Sequence, residues 1–586
     1  MPAYTPPLAD FTFLVKDWLK IDALYQSLGL EEFDAELALE VIEQGGKFAT
    51  DVVAPLNREG DEQGCKLSNG QVVTPDGFAA AYQSYVDNGW NAMLGDIEYG
   101  GQGLPYSMAV PVHEMLNSAN LSWRLTTMLT ESAVLAVTKH ASDELKAQYL
   151  EKLVSGQWTG TMNLTEPQAG SDLSLLSTKA EPNGDGSYKI TGSKIFITAG
   201  DHDWTENIVH MVLARLPDAP AGVKGISLFL VPKFLLDANG NPGERNALAP
   251  SALEKKMGIK ASPTCVMNFD GAKGWLVGEP HCGLACMFTM MNDARFQVGL
   301  EGLGASEASF QGALTYARER LQSRAPQGVQ QPDDKADAIV YQPDIARMLL
   351  TQKALTEGNR ALAMLYAKYM DIAHNSSDEA HDNAEAILQF LTPICKAFMT
   401  DTGLESTSLG IQIFGGHGYI REWGMEQLMR DVRIAMLYEG TNGIQSLDLI
   451  GRKLTRDRGD MLGITRNAFA ELVACMASGE AQQHASALLD EWYQTSLQVK
   501  AFSAVDAAGG ACDYLAYSGY CLLGVLWYSM ADCAAQGDNP VLAAGKQKTC
   551  DFYIQRLLPR TAAHKAALLE SADTLLAVEG SEFDYL

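Results

Sequence analysis

The sequence predicts an α+β chain that is mainly α: an N-terminal helical domain, a middle β-barrel or sandwich domain, a C-terminal helical bundle, and an added C-terminal helical domain. Three observations predict it. Apolar residues recur at three- and four-residue spacing as far as about Thr159, short β-rich runs replace them near Thr161, and helical spacing returns near Gly283. A length of 586 residues, at ~150 per domain, asks for several compact units. A composition 47% hydrophobic and 20% charged suits large cores and not a disordered chain.

Segment 1–159 is read as helices with polar loops. EEFDAELALEVIEQGGKFATDVVAPL carries the helical period, and the glycines and proline of EYGGQGLPYS (98–107) force a sharp reversal. Segment 160–282 holds TMNLTEP, SYKITGSKIFITAG, NIVHMVLARL, GISLFLVPKFLL and CVMNFDGAKGWLV, short strand-like runs divided by Gly, Asp, Asn and Pro. Their spacing suits a small barrel or sandwich of roughly 120 residues. Segment 283–458 is the bundle, where the small residues of GLGASEASFQGALTYARERLQ permit close helix contact. Two polar stretches, 325–342 and 374–383, read as exposed loops between its helices. After TRDRGD (455–460) the pattern restarts as a further helical unit, 459–586. Within it YLAYSGYCLLGVLWYSMA (514–531) runs 18 residues without a charge. Its glycines, serine and four tyrosines, with Asp513 and Asp532 on either side, favour a buried helix over a membrane span.

Subtracting 72 acidic from 44 basic residues leaves a net charge of -28, a field that repels nucleic-acid phosphates and anionic lipid. An anionic ligand must then be held by a few placed cations, backbone N–H groups and helix N-termini. The ten cysteines form no CxxC pair, and Leu284, Ala285 and Met287 around His281, Cys282 and Cys286 read as packed helix. No metal site is expected. The opening MPAYTPPLADFTFLVKDWL lacks a basic and then apolar leader, which predicts a cytoplasmic location.

Residue strings carry more about chemistry than the order of elements does. TEPQAGSD (165–172), GSKIFITAG (192–200), NDARFQVGLEGLG (292–304), QIFGGHGYIREWGMEQLMRD (412–431) and MLYEGTNGIQ (436–445) occur in that order. In MLYEGTNGIQ, Gly440 can adopt the positive φ of a helix stop and Thr441 can cap the next helix, so Glu439 falls at a helix-turn-helix corner. From local sequence alone a solvated loop glutamate is the other reading. SKIFIT also reads as a plain strand, GGHG as a glycine turn between helices, Ser171 as an ordinary turn residue, and Asp293 with Arg295 as a helix-surface ion pair.

Taken together over about residues 40–454, the five strings resemble the acyl-CoA dehydrogenases. The extended ends resemble the longer branch of that family, which includes 3-(methylthio)propanoyl-CoA dehydrogenases and bacterial fatty acyl-CoA dehydrogenases. The resemblance implies FAD, a CoA thioester substrate and electron-transferring flavoprotein as acceptor. It implies Glu439 as the base that removes the α-proton, with its backbone N–H and a ribityl hydroxyl of FAD polarising the thioester carbonyl. The alternative position for that base, on the bundle helix, holds Ala294 here. It further implies Met162, Leu164 and Thr165 at the flavin ring and Phe196, Ile197 and Thr198 over its other side. Ser171 would bond a pyrophosphate or CoA group, and Arg320, Gln412, Gly415 and Gly416 would serve the FAD of a partner subunit. Gln342 and Thr441 complete the cofactor set, and Asp293, Arg295, Tyr438 and Gly440 the substrate set. Because the added C-terminal unit could cover the surface that relatives use to form tetramers, a homodimer is expected. Three competing functions are an acyl-CoA oxidase that reduces oxygen, an enzyme for the 3-(methylthio)propanoyl thioester, and a DNA-binding flavoprotein relative, the last opposed by the acidic charge.

Overall fold

The structure, a computed structural model, describes residues 4–578 and 580–584. The chain forms two compact units. One, here the barrel unit, comprises Gly45–Pro105 and Met115–Gln297. The other, the bundle unit, comprises the chain up to Gln44, Tyr106–Glu114 and the chain from Val298 onward. The Tyr106–His140 and Gly283–Glu319 helices contribute residues to both.

In the barrel unit the strands that the alternating pattern anticipates pair into one mixed seven-stranded sheet. Thr264–Val277 pairs antiparallel with Tyr188–Thr198, which pairs with Lys179–Pro182. Asn207–Arg215 then meets Ile226–Pro232, which returns to Thr264–Val277 and closes the path on itself. Trp158–Asn163 adds to Asn207–Arg215 in parallel. Closure gives both central strands a buried face, and Ile190, Ile197, Val212, Phe229, Val231, Met267 and Phe269 fill the interior. One irregularity matters for function. Cys265 pairs with Ile197 and Met267 with Lys194, so Ile195 and Phe196 together oppose a single residue, a β-bulge. Phe196 takes a φ of 60° there and turns its ring outward, 58% exposed.

In the bundle unit the long helices Pro343–Asn375 and Glu379–Phe414 pack on the second half of Gly283–Glu319. The small residues allow the approach the sequence suggested. A Cβ on Gly299 would lie 2.6 Å from the Cys395 carbonyl oxygen, and one on Gly403 would lie 2.7 Å from that of Gly302. The 18-residue uncharged run lies inside the helix Ala511–Gln536 and is almost wholly buried, Trp527 donating to the Ala354 carbonyl at 3.0 Å. Among the described residues no helix is long and apolar enough to cross a membrane.

The two expected surface stretches are largely exposed, and each carries one local feature that the sequence reading did not anticipate. Residues 325–342 fold around Asp337, which is fully buried and accepts from the backbone N–H groups of Ala325, Gln330 and Gln331 at 2.8–3.0 Å. Ala325, Ala338 and Ile339 are buried with it. The stretch 374–383 shrinks to residues 376–378, because Asp378 caps the next helix by accepting from Ala380 N and helix resumes at Glu379.

Candidate active site

Glu439 follows a short 3-10 turn, Arg433–Met436, and precedes the helix Asn442–Asp448. It has a φ of 55°, a left-handed conformation that a non-glycine residue adopts only where its surroundings hold it. Hydrogen bonds made by four residues do so. Gln445, itself buried, donates to the Glu439 carbonyl at 2.9 Å. Lys396, fully buried on Glu379–Phe414, donates to the Gly440 carbonyl at 2.8 Å and to Asn442 Oδ1 at 2.9 Å. Tyr438 donates its hydroxyl to Glu301. Thr441 caps the following helix by accepting from Ile444 N at 3.2 Å. Burial, and next the Glu301 charge, push the Tyr438 phenol well above its ordinary range, so it remains a donor. Gly440 has a φ of 83°, and a Cβ there would lie 2.7 Å from Gln445 Nε2. The Glu439 carboxyl is thus carried on a corner fixed on both sides. Of these residues the sequence reading anticipated Glu439, Tyr438, Gly440 and Thr441 but missed Lys396, Gln445 and Glu301. The available signal was a lone lysine in the apolar run PICKAFM.

Also in the bundle unit, Arg320, Gln412, Gly415 and Gly416 are exposed. The turns that carry them meet where Tyr316, one helical turn before Arg320, hydrogen-bonds His417 at 2.9 Å. Gly415 has a φ of 58°, whereas no neighbour crowds Gly416; the close approach in this turn is made by Gly418 against the Ile411 backbone. Gln342 stands at the N-terminal boundary of Pro343–Asn375, where its side chain makes no cap and donates instead to the Arg324 carbonyl.

In the barrel unit, Met162 is 8% exposed at the end of Trp158–Asn163, and Leu164 and Thr165 emerge half-buried after it. Thr165 accepts from Ile195 N at 2.9 Å, which ties this segment to the Phe196 bulge. Beneath it lies a buried ion pair that the sequence reading did not single out. Lys194 Nζ donates to Glu166 Oε1 at 2.9 Å and to the Leu164 carbonyl at 3.0 Å. Glu166 also accepts from the backbone and hydroxyl groups of Ser177 and Thr178. Burial opposes ionisation of Glu166, but Lys194 and these donors outweigh it and hold the carboxyl down at about 2. Burial lowers Lys194 to about 8 despite its partner.

The expected contribution of Ile197 needs correction: its side chain is 2% exposed and fills the barrel core, because the bulge sends Phe196 outward and Ile197 inward. Thr198 is half-buried, and Ser171 is exposed in its turn. Nor are Asp293 and Arg295 a helix-surface ion pair, since both are buried. Arg295 donates to Asn292 and lies over the Phe288 ring, whereas Asp293 accepts from Ser132 at 2.7 Å and lines a cavity. Burial lifts the Asp293 carboxyl to about 6.

The helical segments, the closed middle sheet and the clamped glutamate corner together define an acyl-CoA dehydrogenase architecture, and the chain belongs to that family of FAD-dependent oxidoreductases acting on CH–CH bonds. Family models match in order: "Acyl-CoA dehydrogenase, N-terminal domain" over 37–157, the middle domain over 161–272, the C-terminal domain over 281–455, and "Acetyl-CoA dehydrogenase C-terminal like" over 464–579. A 3-methylmercaptopropionyl-CoA dehydrogenase from Ruegeria pomeroyi is 42% identical over 98% of this chain and 99% of its own length. Among solved structures, Caenorhabditis elegans ACDH-11 in complex with C11-CoA superposes with a TM-score of 0.79, covering 100% of this chain and 96% of its own, at 18% identity. An acyl-CoA dehydrogenase from Bacillus anthracis complexed with FAD gives 0.69 over 94% and 90% at 20% identity.

Proposed function

We propose that the chain oxidises a saturated acyl-CoA thioester to the trans-2-enoyl-CoA, with Glu439 as the catalytic base. The observation that carries this reading is the clamped left-handed corner, since a carboxylate on a rigid support is what proton abstraction from a weak carbon acid needs. Glu439 takes the α-proton, and its own backbone N–H donates to the thioester carbonyl, where negative charge develops. Tyr438 and Gly440 line the thioester. Expulsion of water by the acyl chain raises the basicity of the Glu439 carboxylate.

The residues present suit FAD: an outward aromatic ring at Phe196, hydroxyl groups at Thr165 and Thr198, and an exposed arginine beside a glycine turn. FAD supplies the two-electron acceptor for the β-hydride. Met162, Leu164, Thr165, Phe196, Thr198 and the Ile197 backbone would hold its ring, and Ser171, Gln342 and Thr441 would add polar contacts. Arg320, Gln412, Gly415 and Gly416 would serve the diphosphate and adenine of a partner subunit's FAD, so the working form is a homodimer. Asp293 and Arg295 belong to the substrate side. Electrons pass to electron-transferring flavoprotein in the cytoplasm, and the four segments 1–159, 160–282, 283–458 and 459–586 are the functional divisions of the chain.

The 42% identity to the Ruegeria pomeroyi enzyme supports a second reading of the substrate, the 3-(methylthio)propanoyl thioester. Anaerobic mixing with butanoyl-CoA or that thioester should bleach the flavin. Glu439→Gln should retain FAD and lower kcat by ~10⁴-fold or more. Wild-type-like turnover in that variant would remove Glu439 from the mechanism.

A further inference from the structure

The added C-terminal helices pack directly behind the corner that carries Glu439. Their buried member, Ala511–Gln536, lies against Asn442–Asp448, the helix that starts three residues after Glu439, and against Glu379–Phe414, the helix that supplies Lys396. Gly519 permits the second approach, because a Cβ there would lie 2.3 Å from the Phe398 ring, too close for any side chain unless the ring moves. Beside it Tyr520 meets the same ring edge to face, with centroids 4.9 Å apart at 90°.

A second fastening is polar. Arg560, at the start of the helix Arg560–Leu568, closes a fork on Glu405 of Glu379–Phe414, Nη1 to Oε2 at 2.9 Å and Nη2 to Oε1 at 2.7 Å. Nη1 also donates to the Tyr520 hydroxyl at 2.7 Å, so Tyr520 joins the two fastenings. The side chains of Arg560 and Glu405 are 35% and 31% exposed, and water can therefore solvate Glu405 when the arginine is removed.

The stretch of helix gripped in this way is the one that holds the corner. Lys396 donates to the Gly440 carbonyl and to Asn442 Oδ1, and Asn442 Nδ2 donates to the Thr400 hydroxyl at 3.0 Å and to Asp401 Oδ1 at 2.7 Å. At about 100° per residue, Phe398 and Glu405 fall about 180–200° around the helix from Lys396. One face of the stretch thus meets the corner and the opposite face meets the C-terminal helices.

We propose that the added C-terminal unit positions the catalytic base, with Gly519 and Arg560 as positioning residues that hold this stretch of helix against the corner and so fix where the Glu439 carboxyl stands. The inference rests on the dehydrogenase reading above, through Glu439 as the base. A thioester α-carbon is a weak acid and gives up its proton only to a base held in line with it, and a misplacement of ~1 Å costs ~100-fold in rate. Slackening behind the corner therefore reaches the chemistry without touching the thioester.

The measurement is anaerobic stopped-flow flavin reduction on the FAD-loaded enzyme, with whichever of butanoyl-CoA and the 3-(methylthio)propanoyl thioester the wild type uses. Its dependence on thioester concentration separates the limiting rate from the dissociation constant. Arg560→Met should lower the limiting rate ~10-fold and leave FAD content and the dissociation constant within ~2-fold of wild type. Gly519→Ala, which displaces Phe398, should act in the same direction. Lys565→Met is the control, since Lys565 lies on the same helix as Arg560 but pairs at 3.0 Å with Glu491 of Glu480–Lys500, inside the C-terminal unit. It loses a comparable ion pair and should reduce flavin at the wild-type rate. A wild-type limiting rate in Arg560→Met, an equal fall in Lys565→Met, or a change confined to the dissociation constant overturns the inference while the dehydrogenase reading stands. Should Arg560→Met not yield holoenzyme, Gly519→Ala carries the test by the same rate and constant. Absence of flavin reduction by wild type with both thioesters, or wild-type reduction by Glu439→Gln, overturns the reading beneath it.

Discussion

Lys194 stands in the middle of a strand, fully buried, with its ammonium on Glu166 and on the Leu164 carbonyl. A cation there is costly by itself, and the pair persists because Glu166 gathers donors from Ser177 and Thr178 as well. The arrangement makes Lys194 a positioning residue for 162–165, the segment assigned to the flavin. Lys194→Met leaves an uncompensated buried carboxylate and should cost about 3–5 kcal/mol of stability. FAD affinity should fall with it, and the double variant Glu166→Gln/Lys194→Met should recover part of the stability, which paired urea titrations would show. A full loss persisting in the double variant would mean that the lysine acts through packing alone. The sequence made the strand legible through its alternation, but the same alternation concealed the ion pair, because nothing local says that a lysine in SKIFIT points inward. Lys194 shares the inward face of Ile190, four residues before it, and the β-bulge at Ile195 and Phe196 then turns Ile197 to the same side; bulges depend on the partner strand.

The corner between Arg433–Met436 and Asn442–Asp448 was readable in outline, since glycine permits positive φ and threonine caps helices irrespective of tertiary context. What holds the corner was not, because Lys396 and Gln445 act through contacts that span 44 and 6 residues of sequence. The same distinction explains the loops. Both stretches are largely exposed, as their polar composition predicts, but composition does not show that the capping role of Asp378 shortens one loop to three residues or that Asp337 draws three backbone amides around itself in the other. At this corner Gly440→Ala should be far more damaging than its size suggests. It forces a Cβ into a left-handed residue, at about 1–2 kcal/mol, and toward Gln445 Nε2, the donor that fixes the Glu439 carbonyl. For the base proposed above, a displacement of ~1 Å lowers turnover by ~100-fold. We expect kcat to fall on that scale with FAD content unchanged in the purified protein. A variant that loses flavin instead would show that the corner supports the fold more than the chemistry.

Across the bundle unit, residues from position 10 to position 546 converge on one buried charge network. Arg360 meets Asp10 at 2.7 Å, Glu114 at 2.6 Å and Glu307 at 2.5 Å, while Lys546 meets Asp10 at 2.5 Å and Glu357 at 2.8 Å. Lys353 closes the cluster on Glu357. These pairs join the N-terminal segment, the bundle and the added C-terminal helices across separations in sequence that no local pattern reports. Four carboxyls, Asp10, Glu114, Glu307 and Glu357, face three cations, Lys353, Arg360 and Lys546, which leaves one negative charge in excess unless a proton is retained. Glu114 is the group that retains it: burial outweighs the attraction of Arg360, and the repulsion of Glu307 and Asp10 adds to it, raising the carboxyl to about 7 from 4.5. The folded chain therefore binds a proton between pH 4.5 and 7 that the unfolded chain has released. By linkage that contribution to stability is fully present below the lower value and is lost as pH rises to the upper one, with a limiting slope of ~1.4 kcal/mol per pH unit for a whole proton. Glu114→Gln keeps a neutral hydrogen-bonding group and cannot release the proton. Urea denaturation at pH 5, 6 and 7 should show wild-type stability falling faster with pH than the variant's, by about 1 kcal/mol per pH unit, and parallel pH dependences would place the shared proton elsewhere in the network.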